Sequence, residues 1–306
     1  MTGTAPIMDY VYTVAILASI NVILATGFNL ILGYGGLVSV AHPVFFAIGG
    51  YASALLAMGA GVPIPIAIVL GTVITMAASL FVSVPALRIS GDYLVIATMG
   101  FQLGLVHIIN NVAWTGGANG LSNIPSLLEG PYRRQIFLAI ILLVAVGAVY
   151  LVRHLVNGPY GRAITAMRND EDAFKILGRN PVRIKIGIVA LGSGLAGLAG
   201  ACYAHYFQYL TPEQFGIFTS AALLTMVVVG GAATTWGPVV GAVMLTVIPE
   251  LVRFLDLPIS ILGPLQGAIF TALVMFFLFW RPQGLTGGKR GGLDAWSGSG
   301  RIAPDR

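Results

Sequence analysis

The sequence predicts an all-α integral membrane protein: a polytopic helical bundle of about 8–10 spans, with room for re-entrant half-helices. Three observations support this prediction: the composition, a series of long apolar segments, and one charged island between them. Of the 306 residues, 57% are hydrophobic and only 9% are charged. A soluble domain carries about 25% charged residues, so most side chains of this chain must avoid water.

Nine apolar segments are candidates to span a bilayer, which requires about 20 mainly apolar residues. Two of them, Pro43–Met58 and Phe218–Val229, are short and flanked by glycine, which favours half-helices shielded by their neighbours. The other candidates are Val11–Leu32, Ile64–Leu87, Leu94–Val112, Ile136–Val152, Ile184–Tyr206, Pro238–Val252 and Leu262–Trp280.

Basic residues set the expected orientation. The island Arg153–Lys185 holds seven of the sixteen Lys and Arg residues, and the tail from Arg281 holds five more. Positive charge favours the cytoplasmic side, so both segments are predicted there, and the N-terminus is external if all five earlier segments span. This topology places the Arg133-Arg134 pair outside, which the same rule disfavours. We expect one membrane domain, 1–286, with a cytoplasmic loop at 153–185, and a disordered cytoplasmic tail at 287–306.

Within the island, a short helix of about two turns is predicted. Asn169 or Asp170 can cap its start, Glu171 and Asp172 suit its positive end, and Gly178 fits the C′ position. Helical spacing predicts one apolar face, made of Ala173, Phe174 and Leu177. A second short helix, 162–168, is predicted before it. Such an element either lies on lipid headgroups or fits a groove on a soluble partner.

Several function classes find no support in the sequence. There is no glycine-rich phosphate loop, nucleophile elbow, paired intramembrane carboxylate or His/Cys cluster, so no catalytic or metal site is predicted. The net charge of +5 comes without a basic stripe interleaved with aromatic residues, so nucleic-acid binding is not expected. Cys202 has no intrachain disulfide partner and is expected to be a small packing residue.

Polar residues inside apolar spans need a partner or a pathway. Interhelical hydrogen bonds explain most such residues, but His107 and Asn111 share a helix face and are a candidate lumen-facing pair. Glycines at span ends leave backbone NH groups that could meet a carboxylate. Small-residue rows such as Gly192, Ala196 and Gly200 are expected to pack helices closely. The candidate pathway residues are Gly35, Gly36, His42, Gln102, His107, Asn111, Gly116, Gly117 and Asn119.

The segment Ala166-Met-Arg-Asn-Asp-Glu-Asp-Ala-Phe-Lys-Ile-Leu-Gly178 resembles the coupling loop of branched-chain amino acid ABC importer permeases, and an ordered set of further motifs resembles the LivM-like branch of that family. These motifs cover the chain from about residue 30 to 285. The coupling residues that the resemblance implies are Arg168, Asn169, Asp170, Glu171, Asp172, Ala173, Phe174, Leu177 and Gly178. The further motifs are Gly33-Tyr-Gly-Gly-Leu-Val-Ser-Val-Ala-His42, Leu87-Arg-Ile-Ser-Gly-Asp-Tyr-Leu94, Thr115-Gly-Gly-Ala-Asn-Gly-Leu121, Trp236-Gly-Pro238 and Arg281-Pro-Gln-Gly-Leu285.

The resemblance implies a multi-pass subunit of the bacterial inner membrane that is not itself an enzyme. Its expected partners are a LivH-like second permease, two cytoplasmic ATPases that bind ATP and Mg, a periplasmic or lipid-anchored solute-binding protein, and membrane lipid. The expected solute is a branched-chain amino acid; urea, amides and other amino acids are alternatives within the family. Pro43 and Ala118 depart from the family pattern, as does Asp172-Ala-Phe. An ion-coupled secondary transporter and an intramembrane enzyme are the more distant alternatives.

Overall fold

The computed structural model describes residues 4–86 and 92–251, together with 265, 267–268, 271–272, 275–276 and 284–286. The predicted segment Leu262–Trp280 is mostly outside the described residues, and the predicted tail 287–306 is entirely outside them. The helices are α1 (Thr4–Asn29, extended by a π turn, Leu30–Tyr34), α2 (His42–Gly59), α3 (Ile64–Ala86), α4 (Asp92–Asn111), α5 (Arg133–Asn157), α6 (Pro159–Asn169), α7 (Glu171–Ile176), α8 (Pro181–Phe207), α9 (Ile217–Gly230) and α10 (Gly237–Leu251).

The helical membrane fold is confirmed. Six of the described helices are long and apolar enough to cross a bilayer: α1 to α5 and α8. Helices α9 and α10 are also apolar but have only 14 and 15 residues. At about 1.5 Å per residue, α9 and the described part of α10 are both shorter than the roughly 30 Å hydrocarbon core.

Helices α6 and α7 mark one end of the bundle, which we call the basic end. Helix α5 leads directly into α6, and α8 begins three residues after Gly178, so α5 and α8 are antiparallel. Helix α1 also runs toward the basic end, because its early residue Thr13 meets Tyr206 near the end of α8, with 3.1 Å between the hydroxyl oxygens. At the opposite end, a two-residue antiparallel ladder pairs β1 (Leu121–Ser122) with β2 (Tyr209–Leu210).

Glycine contacts hold α1, α2 and α8 together, as the small-residue rows predict. A Cβ atom at Gly49 would overlap the backbone of Gly197, and one at Gly200 would overlap the carbonyl oxygen of Phe46. One at Gly27 would lie 2.6 Å from the carbonyl oxygen of Gly192. Close backbone approach of this kind packs membrane helices tightly, where burial of apolar surface alone gives little drive.

Helices α2 and α9, which correspond to the two short predicted segments, begin inside the bundle rather than at its ends. His42, the first residue of α2, is 1% exposed and its Nε2 lies 3.2 Å from the carbonyl oxygen of Leu24. Near the start of α9, the hydroxyl of Ser220 donates to the carbonyl oxygen of Val40 at 2.8 Å. Irregular backbone at this depth is tolerated because neighbouring side chains satisfy its polar groups.

Candidate coupling site and translocation path

The connection between α5 and α8 is shorter than predicted. Helix α5 continues to Asn157 and α8 begins at Pro181, so the ends of the predicted loop, 153–185, belong to the two long helices. The predicted second helix, 162–168, is longer than expected, because α6 begins at Pro159, three residues before Arg162, and ends at Asn169. Proline suits a first helical turn, where its missing NH costs nothing.

Both predicted ends of the short helix α7 are confirmed. Asp170 is the cap: its Oδ1 accepts from the NH groups of Asp172 at 3.0 Å and Ala173 at 2.8 Å. Gly178 has φ of +75° and its NH donates to the carbonyl oxygen of Lys175 at 2.9 Å. The left-handed residue and its hydrogen bond close the helix sharply.

The predicted apolar face of α7 is wrong. Phe174 is 3% exposed and belongs to the hydrophobic core, together with Met167 of α6. Ala173 and Leu177 are exposed, and so is Ile176. The helix ends at Ile176, and the chain turns at Leu177 before the helical period can return that side chain to the face of Phe174. Phe174 therefore attaches α7 to its own bundle and is not available to a partner.

An ion pair ties α7 to the first turns of α8. The Nζ of Lys185 donates to Oε2 of Glu171 at 2.6 Å, while Lys175 lies 3.4 Å from Oε1. Partial burial would raise the pKa of Glu171, but the hydrogen bond and charge of Lys185, aided by Lys175, outweigh it and hold that pKa below its ordinary value. The hydrogen bond of Lys175 to Asp172, with the nearby Glu171 charge, raises the pKa of Lys175.

This ion pair predicts a specific pH dependence. A carboxyl whose pKa is lower in the folded protein stabilises the fold fully above its ordinary pKa of 4.5, and this contribution is lost as the pH falls through the lower folded value. We expect Glu171→Gln to lower the melting temperature by a constant amount between about pH 6 and pH 8. The difference from wild type should vanish in strong acid. A difference that instead shrinks toward alkaline pH would contradict the assigned pairing.

A second link joins α6 to the end of α1. The Nη1 of Arg168 donates to the carbonyl oxygen of Gly33 at 2.6 Å, and the aliphatic part of Arg168 covers Gly36. Gly35 and Gly36 are also engaged: their NH groups donate to Leu30 and Leu32 carbonyl oxygens at 3.0 and 3.1 Å. The expectation of free backbone NH groups here is wrong, because the π turn uses them internally.

The second glycine cluster lies at the opposite end of the bundle. The NH of Gly116 donates to the carbonyl oxygen of Ala113 at 3.1 Å, and that of Gly117 donates to Val112 at 3.2 Å. Asn119 is exposed, and its carbonyl oxygen accepts from the hydroxyl of Tyr209 at 3.0 Å. The NH groups of these two glycines are therefore bonded within consecutive tight turns and are not free to meet a carboxylate.

Two of the predicted pathway side chains are buried in the packing instead. Gln102 has no exposed surface, and its Nε2 donates to the carbonyl oxygen of Phe215 at 2.9 Å and to Ser220 at 2.8 Å. His42 packs against Phe28, with 5.0 Å between the ring centroids. In this conformation both residues hold the short segments in place, which is the interhelical bonding that explains most intramembrane polar groups.

Replacing Gln102 tests this structural role. Gln102→Leu leaves the buried carbonyl oxygen of Phe215 without its side-chain partner, at a cost of about 1–3 kcal/mol, while the Ser220 hydroxyl keeps its bond to Val40. We expect a lower melting temperature in detergent, whereas Gln135→Leu on the exposed surface of α5 should change it little. Equal melting temperatures for the two variants would contradict the structural role.

His107 and Asn111 remain candidates for the pathway. Both are exposed on one face of α4, and Asn111 donates to the carbonyl oxygen of His107 at 2.8 Å. Gly104 lies on the same exposed side, with open space where a Cβ atom would stand. Exposed polar groups on a spanning helix favour contact with water or with another subunit.

Some contributors to the site lie outside the predicted sets. Lys185 is 9% exposed and binds Glu171. The sequence identified it only as one of the basic residues of the island and did not indicate this partner. Asn29 joins α1 to the turn before α10, donating to Thr234 and accepting from the NH of Ala233, each at 2.9 Å. The sequence showed a polar asparagine near the end of a span, but the residues that Asn29 binds are more than 200 positions away.

Comparison with known proteins identifies the family of this chain. The family model described as "Branched-chain amino acid transport system / permease component" matches residues 10–279. The high-affinity branched-chain amino acid transport system permease protein LivM of Salmonella typhimurium is 34% identical over 300 residues, which is 89% of this chain and 69% of that protein. The probable LivM of Methanocaldococcus jannaschii is 25% identical, covering 83% and 81%.

A more distant relative is the autoinducer 2 import system permease protein LsrC of Salmonella paratyphi B, 24% identical over 72% of this chain and 64% of that protein. No solved structure matches this chain. The family match, the LivM similarity and the spanning helices agree with one another. The chain belongs to the family of branched-chain amino acid transport system permease components, and it is a LivM-like multi-pass membrane subunit.

Proposed function

We propose that this chain and a homologous, LivH-like permease together form the membrane pathway of an ATP-driven importer of branched-chain amino acids in the bacterial inner membrane. Two cytoplasmic ATPases bind ATP and Mg and supply the energy, and a periplasmic or lipid-anchored solute-binding protein delivers the solute. The family match supports the permease role. The partner subunits are carried over from the resemblance to branched-chain amino acid importers, and the α6–α7 element supports the contact with the ATPases.

The arrangement of α7 is the observation that carries this proposal. Its inner side is fixed by buried Phe174 and by the pair of Glu171 with Lys185. Its outer side presents Ile176 and Leu177, which are 86% and 76% exposed. Helix α7 is thus fixed to the bundle on one side and exposes apolar side chains on the other, beyond the ends of the spanning helices. This arrangement suits insertion into a groove of a soluble partner.

Movement of the α6–α7 element has two direct routes into the bundle. Glu171 is bound to Lys185 in the second turn of α8, and Arg168 is bound to Gly33 at the end of α1. Helix α8 packs on α2 and α3, while α1 packs on α5, α8 and α10. ATP-driven closure of the ATPases would therefore displace the two helices that contact most of the bundle. In this proposal, α6 and α7 act on the bundle at two points, α8 and α1, and so switch access between the two sides of the membrane.

The solute proposal is supported by the charge of the bundle. Among the described residues, Lys185 is the one buried charged side chain, and it lies at the basic end. A zwitterion with an aliphatic side chain needs no fixed counter-charge at mid-membrane. Ion-coupled carriers, by contrast, usually hold carboxylates there. A bundle lined by hydroxyl, amide and apolar groups fits the proposed solute.

The test of ATPase docking uses the exposed tip of α7. We expect the Ile176→Asn/Leu177→Asn double variant to lose the ATPases on mild purification while its own level in the membrane is unchanged. Val182→Asn is the matched control, since Val182 is 41% exposed in the first turn of α8. Retention of the ATPases by the double variant would contradict the docking proposal and would indicate that α7 rests on lipid.

A further inference from the structure

A cavity of about 210 Å³ lies at the opposite end of the bundle, between the starts of α1 and α5 and the end of α8. It is separate from the coupling site and from the proposed pathway residues. Leucine and phenylalanine side chains form part of its wall. Its polar wall consists of Thr13, Ser126, Arg133, Arg134, His205, Tyr206 and Gln208.

The two arginines of this cavity stand where positive charge is unfavourable. Arg133 and Arg134 are the first residues of α5, whose first turn contains no acid, so they face the positive end of the helix dipole. They also lie opposite the basic end, on the side where the orientation rule disfavours Lys and Arg. Two unfavourable placements of adjacent arginines indicate a compensating anion.

The protein itself supplies only part of that compensation. Asp9 pairs with Arg134, with 2.6 Å between Oδ2 and Nη1. Among the described residues, Arg133 has no ion-pair partner within 4 Å, and nearby Glu129 is exposed and equally unpaired. The hydroxyl of Thr13 already donates to the carbonyl oxygen of Asp9 at 3.0 Å. The guanidinium of Arg133 therefore remains as a charged donor beside the cavity.

An apolar stripe continues from Arg133 along the outer face of α5. Ile136, Ile140 and Leu143 follow at helical spacing and are 48%, 39% and 74% exposed. Tyr132, just before the helix, is 66% exposed, as aromatic residues at a membrane interface often are. A charged donor at the head of an exposed apolar stripe matches a ligand with an anionic head and a hydrocarbon chain.

We propose that this cavity binds the phosphate group of an anionic phospholipid, with Arg133 as its principal donor. The acyl chains lie along the stripe of α5. A zwitterionic solute fits less well, because the cavity offers an unpaired positive charge without an unpaired carboxylate on its wall. This inference is independent of the proposed import function, since it rests on the cavity, the arginine pair and the stripe.

Native mass spectrometry of the purified full chain tests the proposal, with phosphatidylglycerol and phosphatidylcholine of identical acyl chains. We expect the wild type to prefer phosphatidylglycerol, and Arg133→Gln to weaken that binding about five-fold, the size expected for one arginine at a lipid surface. Binding of phosphatidylcholine should change less, because its choline cation offsets the phosphate charge. Arg179→Gln is the matched control, because Arg179 is an exposed arginine at the basic end without an ion pair among the described residues.

The outcomes separate the sources of the anion. Loss of the preference in Arg133→Gln but not in Arg179→Gln supports the site. An equal loss in both variants, or no preference in the wild type, overturns it in favour of general surface charge. A further arm adds inorganic phosphate: displacement of the lipid at an equal concentration would show that a free anion is the ligand and would overturn the lipid assignment. Unchanged melting temperatures exclude misfolding as the cause.

Discussion

Glu171→Lys is expected to abolish solute uptake while the protein remains at its normal level in the membrane. The substitution places a third positive charge beside Lys185 and Lys175, which lie 2.6 and 3.4 Å from the carboxylate oxygens of Glu171. A hydrogen bond between charged groups contributes about 1.5–3 kcal/mol, and like charges at this distance add repulsion. Helix α7 would then separate from α8, and one of its two links to the bundle would be lost.

Two further variants make this expectation specific. Asp172→Lys changes charge by the same amount at the adjacent position, but Asp172 has 89% of its side chain exposed and pairs with Lys175 of its own helix. It should retain most of the uptake. The exchange Glu171→Lys/Lys185→Glu restores the pair in reverse and should recover part of the activity. Normal uptake by Glu171→Lys at normal expression would remove the ion pair from the coupling route.

Gly200→Val is expected to prevent folding of the bundle. A Cβ atom at Gly200 would overlap the carbonyl oxygen of Phe46 and approach the backbone nitrogen of Gly50 to 3.0 Å. Backbone atoms cannot rotate away as a side chain can, so α2 and α8 would have to separate. The expected cost is at or above the upper end of the about 1–3 kcal/mol typical of overpacking. The measurement is the yield of monodisperse protein extracted from membranes by mild detergent.

Gly147→Val provides the matched control for this substitution. Gly147 is in α5, is exposed, and has nothing within 4 Å of an added Cβ atom. It should yield as much folded protein as the wild type. The comparison separates the loss of a helix contact from the general effect of a β-branched residue in a helix, which is small. Equal yields for the two variants would contradict the close packing of α2 on α8.

Features that depend on local sequence were predictable. The cap at Asp170 and the left-handed turn at Gly178 follow from residue types and spacing over a few positions. The eight described apolar helices, of which six are long enough to span, lie close to the predicted apolar segments, because burial in lipid requires long apolar runs. The orientation remains a prediction, although the basic island does gather at one end of the bundle.

Features that depend on distant neighbours were not predictable from the sequence. Helical spacing grouped Phe174 with Leu177, but only the fold shows that the bundle covers Phe174 and leaves Leu177 outside. Gln102 resembled a pathway residue until its partners appeared at Phe215 and Ser220, more than 100 positions away. A polar residue in an apolar span shows that a partner is needed, and it does not show which partner.

In the proposed mechanism, ATP hydrolysis on partner subunits drives transport through α6 and α7. The most direct measurement is uptake of radiolabelled leucine by proteoliposomes that contain the complex purified through this chain, with and without internal ATP. We predict uptake only with ATP, competition by isoleucine and valine but not by urea, and none with Glu171→Lys. Uptake that persists without ATP and collapses with an uncoupler would contradict the claim and identify an ion-coupled transporter.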